Sequence, residues 1–325
     1  MSEMRWNPLL EEWVVTATHR QERTFLPPPG FCPLCPTKPG GFPTEVPAPD
    51  YEIVVFENKF PTFQREPHPP AVKGSRLYPV RLAKGICEVV LYSPEHNGSL
   101  TKMKLEDIHK LVLVWKDRYR ELGSLDYIDY VFIFENRGEE IGVTLTHPHG
   151  QIYAFPYIPP VVARELASCL KHRERTGLCL LCDILREEKV DERRIVAENE
   201  LFLAMVPFYA RYPHEVHIIP KRHCLSLLDI GPGGPHSLAW MLKNVLLRYD
   251  GLYGFPLSYM MVMHQAPTDG KDYSYYHFHI EFYSLRRSRD KLKYRAGCES
   301  GAGTFIADAL PEDWAAELRD VPVQF

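Results

Sequence analysis

The strongest constraint on this chain is that one order of features occurs in it twice. The first half runs "CPLC" (Cys32 to Cys35), "IVVFEN" (Ile53 to Asn58), "CEVVLYSPEHNGSL" (Cys87 to Leu100), a helical stretch, a strand and "HPHGQ" (His147 to Gln151). The second runs "CLLC" (Cys179 to Cys182), "RIVAEN" (Arg194 to Asn199), "HEVHIIPKRHCLSL" (His214 to Leu227), a helical stretch, a strand and "HFHIE" (His277 to Glu281). Glu88 precedes His96, and Glu215 precedes His223, by eight positions in each half. From each of those histidines to the next His-x-His is 51 positions in one half and 54 in the other. So many features in one order imply a duplicated module of about 140 residues.

The periodicities inside each copy give the fold class. Leu105, Ile108, Leu111, Val112, Trp115, Tyr119 and Leu122 recur at helical spacing within residues 102 to 122, and residues 236 to 250 repeat the pattern more weakly. "YEIVVF", "CEVVLYS", "YVFIFEN", "EVHIIP", "SYMMVMH" and "HFHIEFYSL" are β-branched and aromatic runs of strand length. Strands outnumber helices, and the helices come singly. The expectation is an α+β fold in which two tandem repeats, residues 1 to 158 and 159 to 285, share a largely antiparallel sheet with helices packed on it. Proline-rich residues 24 to 50 form a surface loop that carries the first C-x-x-C. Residues 286 to 325 are a tail outside the repeat, with a short helix after Pro311.

The chemistry of the cysteines depends on the compartment. Eight cysteines are too few for a disulfide framework in 325 residues. The start, "MSEMRWNPLLEEWVV", has no apolar stretch of the signal-peptide kind, which points to the cytoplasm, where thiols stay reduced. No apolar run approaches the roughly 18 residues of a membrane helix. With 38 Lys+Arg against 42 Asp+Glu, there is no basic excess to suit nucleic acid. Cys87, Cys169, Cys224 and Cys298 read as buried or incidental thiols.

Two thiolates on a tight turn can face one Zn²⁺, and two imidazoles from distant strands complete a tetrahedron. Cys32, Cys35, His96 and His147 form that set in the first half; Cys179, Cys182, His223 and His277 form it in the second. The plainer alternative for each C-x-x-C is an unligated turn or a redox pair. Matched histidines in both halves argue for metal, and neither motif is expected to follow a strand and open a long helix as thioredoxin-like motifs do.

If His147 goes to metal, His149 is left over. The two rings lie close without being co-ligands, since Pro148 kinks the segment between them. A neutral imidazole is a competent nucleophile near pH 7, so His149 can attack phosphorus while Gln151 donates to the phosphoryl oxygens as charge builds there. The competing reading makes His149 a core residue.

These residues together resemble a known family. "HPHGQ", preceded by "FEN", "SPEH" and "CPLC", with "WVVTATHR", "VPFYARYPHEV", "MHQAP" and "HIEFYSL" across nearly the whole chain, is similar to the galactose-1-phosphate uridylyltransferases of the histidine-triad superfamily. The resemblance implies two histidine-triad-like repeats and a ping-pong enzyme that moves UMP from UDP-glucose to galactose 1-phosphate through a uridylyl-histidine at His149. It implies one or two Zn²⁺ per chain and a homodimer. It also places Arg20 and Arg23 near the nucleotide phosphates, Phe56 and Asn58 around uracil and ribose, and Asn136, Gly142 and Thr144 in a loop over the phosphates. Lys293 and Glu299 match hexose-phosphate residues reached across a dimer interface.

Two positions depart from the family pattern. Well-known members carry "HAH" where this chain has His279-Ile280-Glu281, and bind a second metal there; the matching set here is Glu165, His264, His279 and Glu281. Because one histidine is replaced, the second zinc is expected at Cys179, Cys182, His223 and His277 instead. The other departure is Lys59, where an acidic residue is common beside the ribose. Two rival readings remain: a nucleotide-sugar phosphorylase of the ADP-glucose type that uses the same His149, and a zinc-stabilised nucleotide-binding protein in which His149 is idle.

Overall fold

The computed structural model describes residues 2–22, 28 and 30–325, so Arg23 lies outside the described residues. The first half supplies strands β1 (Ser2–Asn7), β2 (Glu12–Ala17), β3 (Val54–Glu57), β4 (Val80–Leu82), β5 (Ile86–Leu91), β6 (Tyr130–Arg137) and β7 (His149–Phe155), with helix α1 (Leu105–Gly123) between β5 and β6. Helices α2 (Pro160–Thr176) and α3 (Leu180–Asp191) follow. The second half adds β8 (Ile195–Glu198), β9 (Phe202–Met205), β10 (Val216–Pro220), helix α4 (Gly234–Leu252), β11 (Tyr259–His264) and β12 (His279–Ser284). The tail holds β13 (Arg286–Ser288), β14 (Lys291–Leu292) and α5 (Pro311–Asp320).

Nine strands make one antiparallel sheet in the order β3-β5-β7-β6-β11-β12-β10-β9-β8. The repeat is visible from its centre. β6 and β11 pair with each other, and outward from that seam lie β7 and β5 on one side and β12 and β10 on the other. Strands β2, β1 and β4 form a separate small sheet.

The register corrects two details of the sequence match. Strand β3, which carries Phe56 and Glu57 of "FEN", pairs with β5 as β9 pairs with β10, so its counterpart is β9 and not β8 of "RIVAEN". Val89 stands opposite Gln151, and His217 stands opposite Glu281. His217 is therefore the counterpart of Val89, and the two Glu-Val pairs are out of step by one residue. Glu88 accordingly faces the helices, where Arg118 of α1 grips both of its oxygens at 2.9 and 2.7 Å. A part-buried bidentate pair of this kind fixes helix to strand by geometry as much as by energy.

Helices α1 and α4 pack together over one face of the sheet, burying Ile108, Leu111 and Trp115 against Ile86, Val90, Ile133 and Ile152. Trp115 meets Tyr92 edge to face at 6.0 Å, a contact of about 0.5–1.5 kcal/mol beyond area burial. The other face is not left open throughout. Val162, Leu166 and Cys169 of α2, with Leu181 and Leu185 of α3, cover Leu203, Met205 and Ile219 in the second half. The helices therefore do not all come singly, and the sheet is covered on both sides there. In α2 only Val162, Leu166 and Cys169 are buried, a stripe too narrow to give the chain a strong helical period.

Candidate functional site

The open face of the first half is where the expected residues meet. Along β7, Gly150, Ile152 and Ala154 turn to the helical core, while His149, Gln151, Tyr153 and Phe155 stand half-buried on the opposite face. A small apolar cluster of Leu34, Val46, Val89 and Leu91 holds the "CPLC" loop down on that face. Between loop and sheet is a cleft of about 270 Å³, with His149, Gln151, Asn58 and Thr144 on its polar side and Phe31, Leu34, Phe56, Phe60 and Leu145 among its apolar walls.

Gly150 has a steric reason to be glycine. A Cβ there would lie 2.1 Å from the Tyr92 hydroxyl. Tyr92 passes directly behind the strand, held by Trp115, so no side chain fits between the two polar residues of "HGQ".

The two histidines of "HPH" are held in different ways. His147 is buried, its Nε2 lies 2.9 Å from the Ser93 carbonyl, and Tyr51 Oη is 2.8 Å away. Its Nδ1 faces the thiol of Cys35 at 3.6 Å. Burial pushes its pKa down to about 4, helped by His96 and His149 and opposed by the Ser93 bond. The ring is therefore neutral, as a metal ligand must be. His149 does the reverse: its Nδ1 donates to the His147 carbonyl at 2.8 Å.

Cys32, Cys35, His96 and His147 bring one donor atom each within 4.8 Å of one another, and so do Cys179, Cys182, His223 and His277. Sulfur-to-nitrogen separations are 3.5 and 3.6 Å in the first set and 3.5 to 3.8 Å in the second. A tetrahedral ion bonded to sulfur and imidazole nitrogen at ordinary lengths spaces them by about 3.6 Å. Burial, with Cys32 beside it, pushes the Cys35 thiol up to about 11. In the second pair the Cys182 thiol holds Cys179 far below its usual range, while Cys182 is pushed up in turn. Each pair resists carrying two negative charges by itself, which a bound cation would offset. Both quartets fit a metal ion.

One expectation about the second motif is corrected. Cys179 caps the start of α3, so "CLLC" does open a helix of 12 residues, although what precedes it is α2 rather than a strand. The two facing imidazoles, not the absence of a helix, set it apart from a redox motif.

The carboxylate-rich set is assembled as well. Glu165, His264, His279 and Glu281 converge, and Glu215 and His217 adjoin them through Glu281. His264 Nδ1 is 3.0 Å from both Glu165 oxygens, and Arg211 is 3.2 Å from Glu281. Burial opposes charge on His264, but Glu165 and Glu281 outweigh it and raise the ring to about 9. His279 is the repeat's counterpart of His149 and keeps the same backbone bond, its Nδ1 3.0 Å from the His277 carbonyl. Unlike His149 it is buried, with Glu281 at 3.4 Å.

The remaining expected residues divide. Arg20 bonds Thr62 and lies 3.4 Å from the Tyr153 hydroxyl, on the His149 face of β7. Asn58 Oδ1 accepts from the Phe60 amide at 2.9 Å, which turns its amide nitrogen toward Gln151 Oε1 at 3.4 Å. Asn136, at the end of β6, and Gly142, left-handed at φ 81°, stand outside the lining of the cleft. So do Lys293 and Glu299, which face each other at 3.7 Å in the tail. Lys59 does line the cleft, paired with Glu45 at 3.1 Å, so an acid reaches that place from the proline-rich loop. Only the loop's position in space reveals Glu45; nothing in its local sequence marks it.

Residues 1–159 match the family described as galactose-1-phosphate uridyl transferase, N-terminal domain, and residues 165–323 match its C-terminal domain. The chain belongs to the galactose-1-phosphate uridylyltransferase family. A relative of that name from Thermotoga maritima is 43% identical over 325 residues, all of both chains. A solved uridylyltransferase structure superposes with a TM-score of 0.88 at 35% identity over 98% of each chain. An ADP-glucose phosphorylase from Arabidopsis thaliana, solved with bound ADP-glucose, is a more distant member of the same fold, at 25% identity and TM-score 0.75 over the full length of both chains.

Proposed function

We propose that this uridylyltransferase family member moves UMP from UDP-glucose to galactose 1-phosphate through a covalent intermediate on His149. The observation that carries the reading is the tautomer of His149. With Nδ1 donating to a carbonyl, the lone pair of the neutral ring sits on Nε2. His149 Nε2 attacks the α-phosphorus of UDP-glucose, and the bond to the oxygen of glucose 1-phosphate breaks. A phosphate oxygen of galactose 1-phosphate then attacks the same phosphorus, breaks the bond to nitrogen, and leaves as UDP-galactose.

Gln151, turned by Asn58 so that its amide protons are presented outward, stabilises the charge on the phosphoryl oxygens. The apolar walls at Phe56 and Phe60 suit a pyrimidine, and Glu45 with Lys59 suits the ribose hydroxyls. Arg20 and Arg23 serve the phosphates, and Thr144 closes the cleft beside them.

The metal in this reading is zinc, at both Cys₂His₂ quartets, because thiolate donors favour it over a carboxylate set whose members are already paired to Arg211 and Tyr276. Zinc supplies structural anchoring: Cys32, Cys35, His96 and His147 would hold the first ion, and Cys179, Cys182, His223 and His277 the second. The repeat boundary is placed at residues 158 and 159. Lys293 and Glu299, outside the cleft of their own chain, serve the cleft of a second copy in a homodimer. A reducing compartment such as the cytoplasm suits the eight unbridged thiols.

The phosphorylase reading uses the same imidazole and is favoured by one observation, the likeness to the Arabidopsis enzyme. Two acceptors decide between them. The nucleotidyl-enzyme is expected to discharge onto galactose 1-phosphate and not onto orthophosphate; release of a nucleoside diphosphate by orthophosphate would overturn the uridylyltransferase reading.

A further inference from the structure

The two metal quartets differ in what stands behind their buried histidine. At His147, the Ser93 carbonyl lies 2.9 Å from Nε2, and the Tyr51 hydroxyl lies 2.8 Å from Nε2 and 2.7 Å from that same carbonyl. The phenol's proton goes to Ser93, since the carbonyl can only accept, which leaves a phenol lone pair facing the N–H of His147. That N–H is shared between two acceptors. At His277, the equivalent Nε2 is fully buried and has no hydrogen-bond partner among the described residues.

We infer that Tyr51 is a positioning residue that locks His147 as the Nε2–H tautomer, so that the first zinc is held more firmly than the second and the strand bearing His149 is anchored with it. The repeat gives no second copy of this device: with Val89 matched to His217, Phe56 opposite Val89 corresponds to Met205 opposite His217, which puts Glu200 where Tyr51 stands. Glu200 is exposed, in the turn between β8 and β9. An outer partner of a metal-bound histidine fixes its tautomer and ring orientation and typically changes metal affinity by about 10- to 100-fold. The Tyr51 ring is half-buried against the small core under the "CPLC" loop, so Tyr51→Phe removes the oxygen and keeps the packing.

This inference rests on the zinc reading above, and one experiment separates the two. Zinc is counted in the purified full-length protein, and its release to a chromophoric chelator is followed in time; Cys182→Ser, which removes a second-site ligand, identifies that site's phase. The expected result is two ions, with the first-site phase slower, and an acceleration of that phase by about 10- to 100-fold in Tyr51→Phe with the second-site phase unchanged. Cobalt(II) bound at the first site of the variant, with the visible bands of a tetrahedral thiolate site, shows that the ligand set is still formed. A first-site phase unchanged in Tyr51→Phe overturns the role of Tyr51 and leaves the zinc reading intact. Loss of those cobalt bands would make Tyr51 a part of the fold rather than a positioning residue, and overturns it too. Absence of bound zinc from the unaltered protein defeats both.

Discussion

His147 and His149 carry their protons on opposite nitrogens. His147 donates from Nε2 to the Ser93 carbonyl and turns Nδ1 to the thiols, whereas His149 donates from Nδ1 to the carbonyl of His147 itself. One backbone oxygen thus links the ring that faces the thiols to the ring proposed as nucleophile. Neither role is available to the other ring without breaking a part-buried hydrogen bond.

In the proposed reaction this link makes a metal at the first quartet matter to chemistry it does not touch. Cys35→Ser is expected to lose the first ion, keep the second, and lower transfer by at least about tenfold. Metal counting beside hexose phosphate exchange checks both halves of the statement.

Gly150→Ala is expected to lower transfer by at least about 100-fold, because the new methyl would press on the Tyr92 hydroxyl 2.1 Å away and shift His149 and Gln151 together. Adding Tyr92→Phe removes that oxygen and should recover part of the loss. A double variant no better than the single one would show that the glycine is required for another reason.

Gln151→Ala is expected to lower kcat by about 10²- to 10³-fold with little change in KM, the signature of a donor used as charge develops. Gln151→Glu should be worse than alanine, since it sets a negative charge beside the phosphoryl group. Steady-state kinetics on the two variants tests the order.

Glu135 lies behind the site on β6, fully buried and bonded to the Tyr259 hydroxyl at 2.8 Å. Burial raises its carboxyl to about 7, against the opposing pull of Tyr259 and Arg137. A folded-state pKa above the unfolded value gives stability that is full below about pH 4.5 and is lost as pH rises through about 7, at most about 3 kcal/mol. Denaturant unfolding at pH 5 and pH 8 should show this loss in the natural chain and a smaller one in Glu135→Gln.

Much of this architecture was legible in the sequence because the repeat matched side chains whose chemistry is demanding. Two thiols and two imidazoles in matched order leave few arrangements, and both quartets close. Helix α1 was legible because its buried face is wide; α2 escaped because only three of its residues are buried. The Glu-Val match misled by one residue, since a strand's register is fixed by its partner and not by the count to a distant histidine. Glu45 could not be foreseen beside Lys59, because a long loop delivers it, and the reason for Gly150 lies in Tyr92, a residue 58 positions away in sequence.

The division of labour between the two imidazoles is tested most directly by intact mass measurement at alkaline pH after incubation with UDP-glucose. The natural chain is expected to gain the mass of one UMP on His149, and His149→Ala to gain nothing while binding the same amount of zinc. An adduct on any other residue, or transfer retained by His149→Ala, would contradict the account.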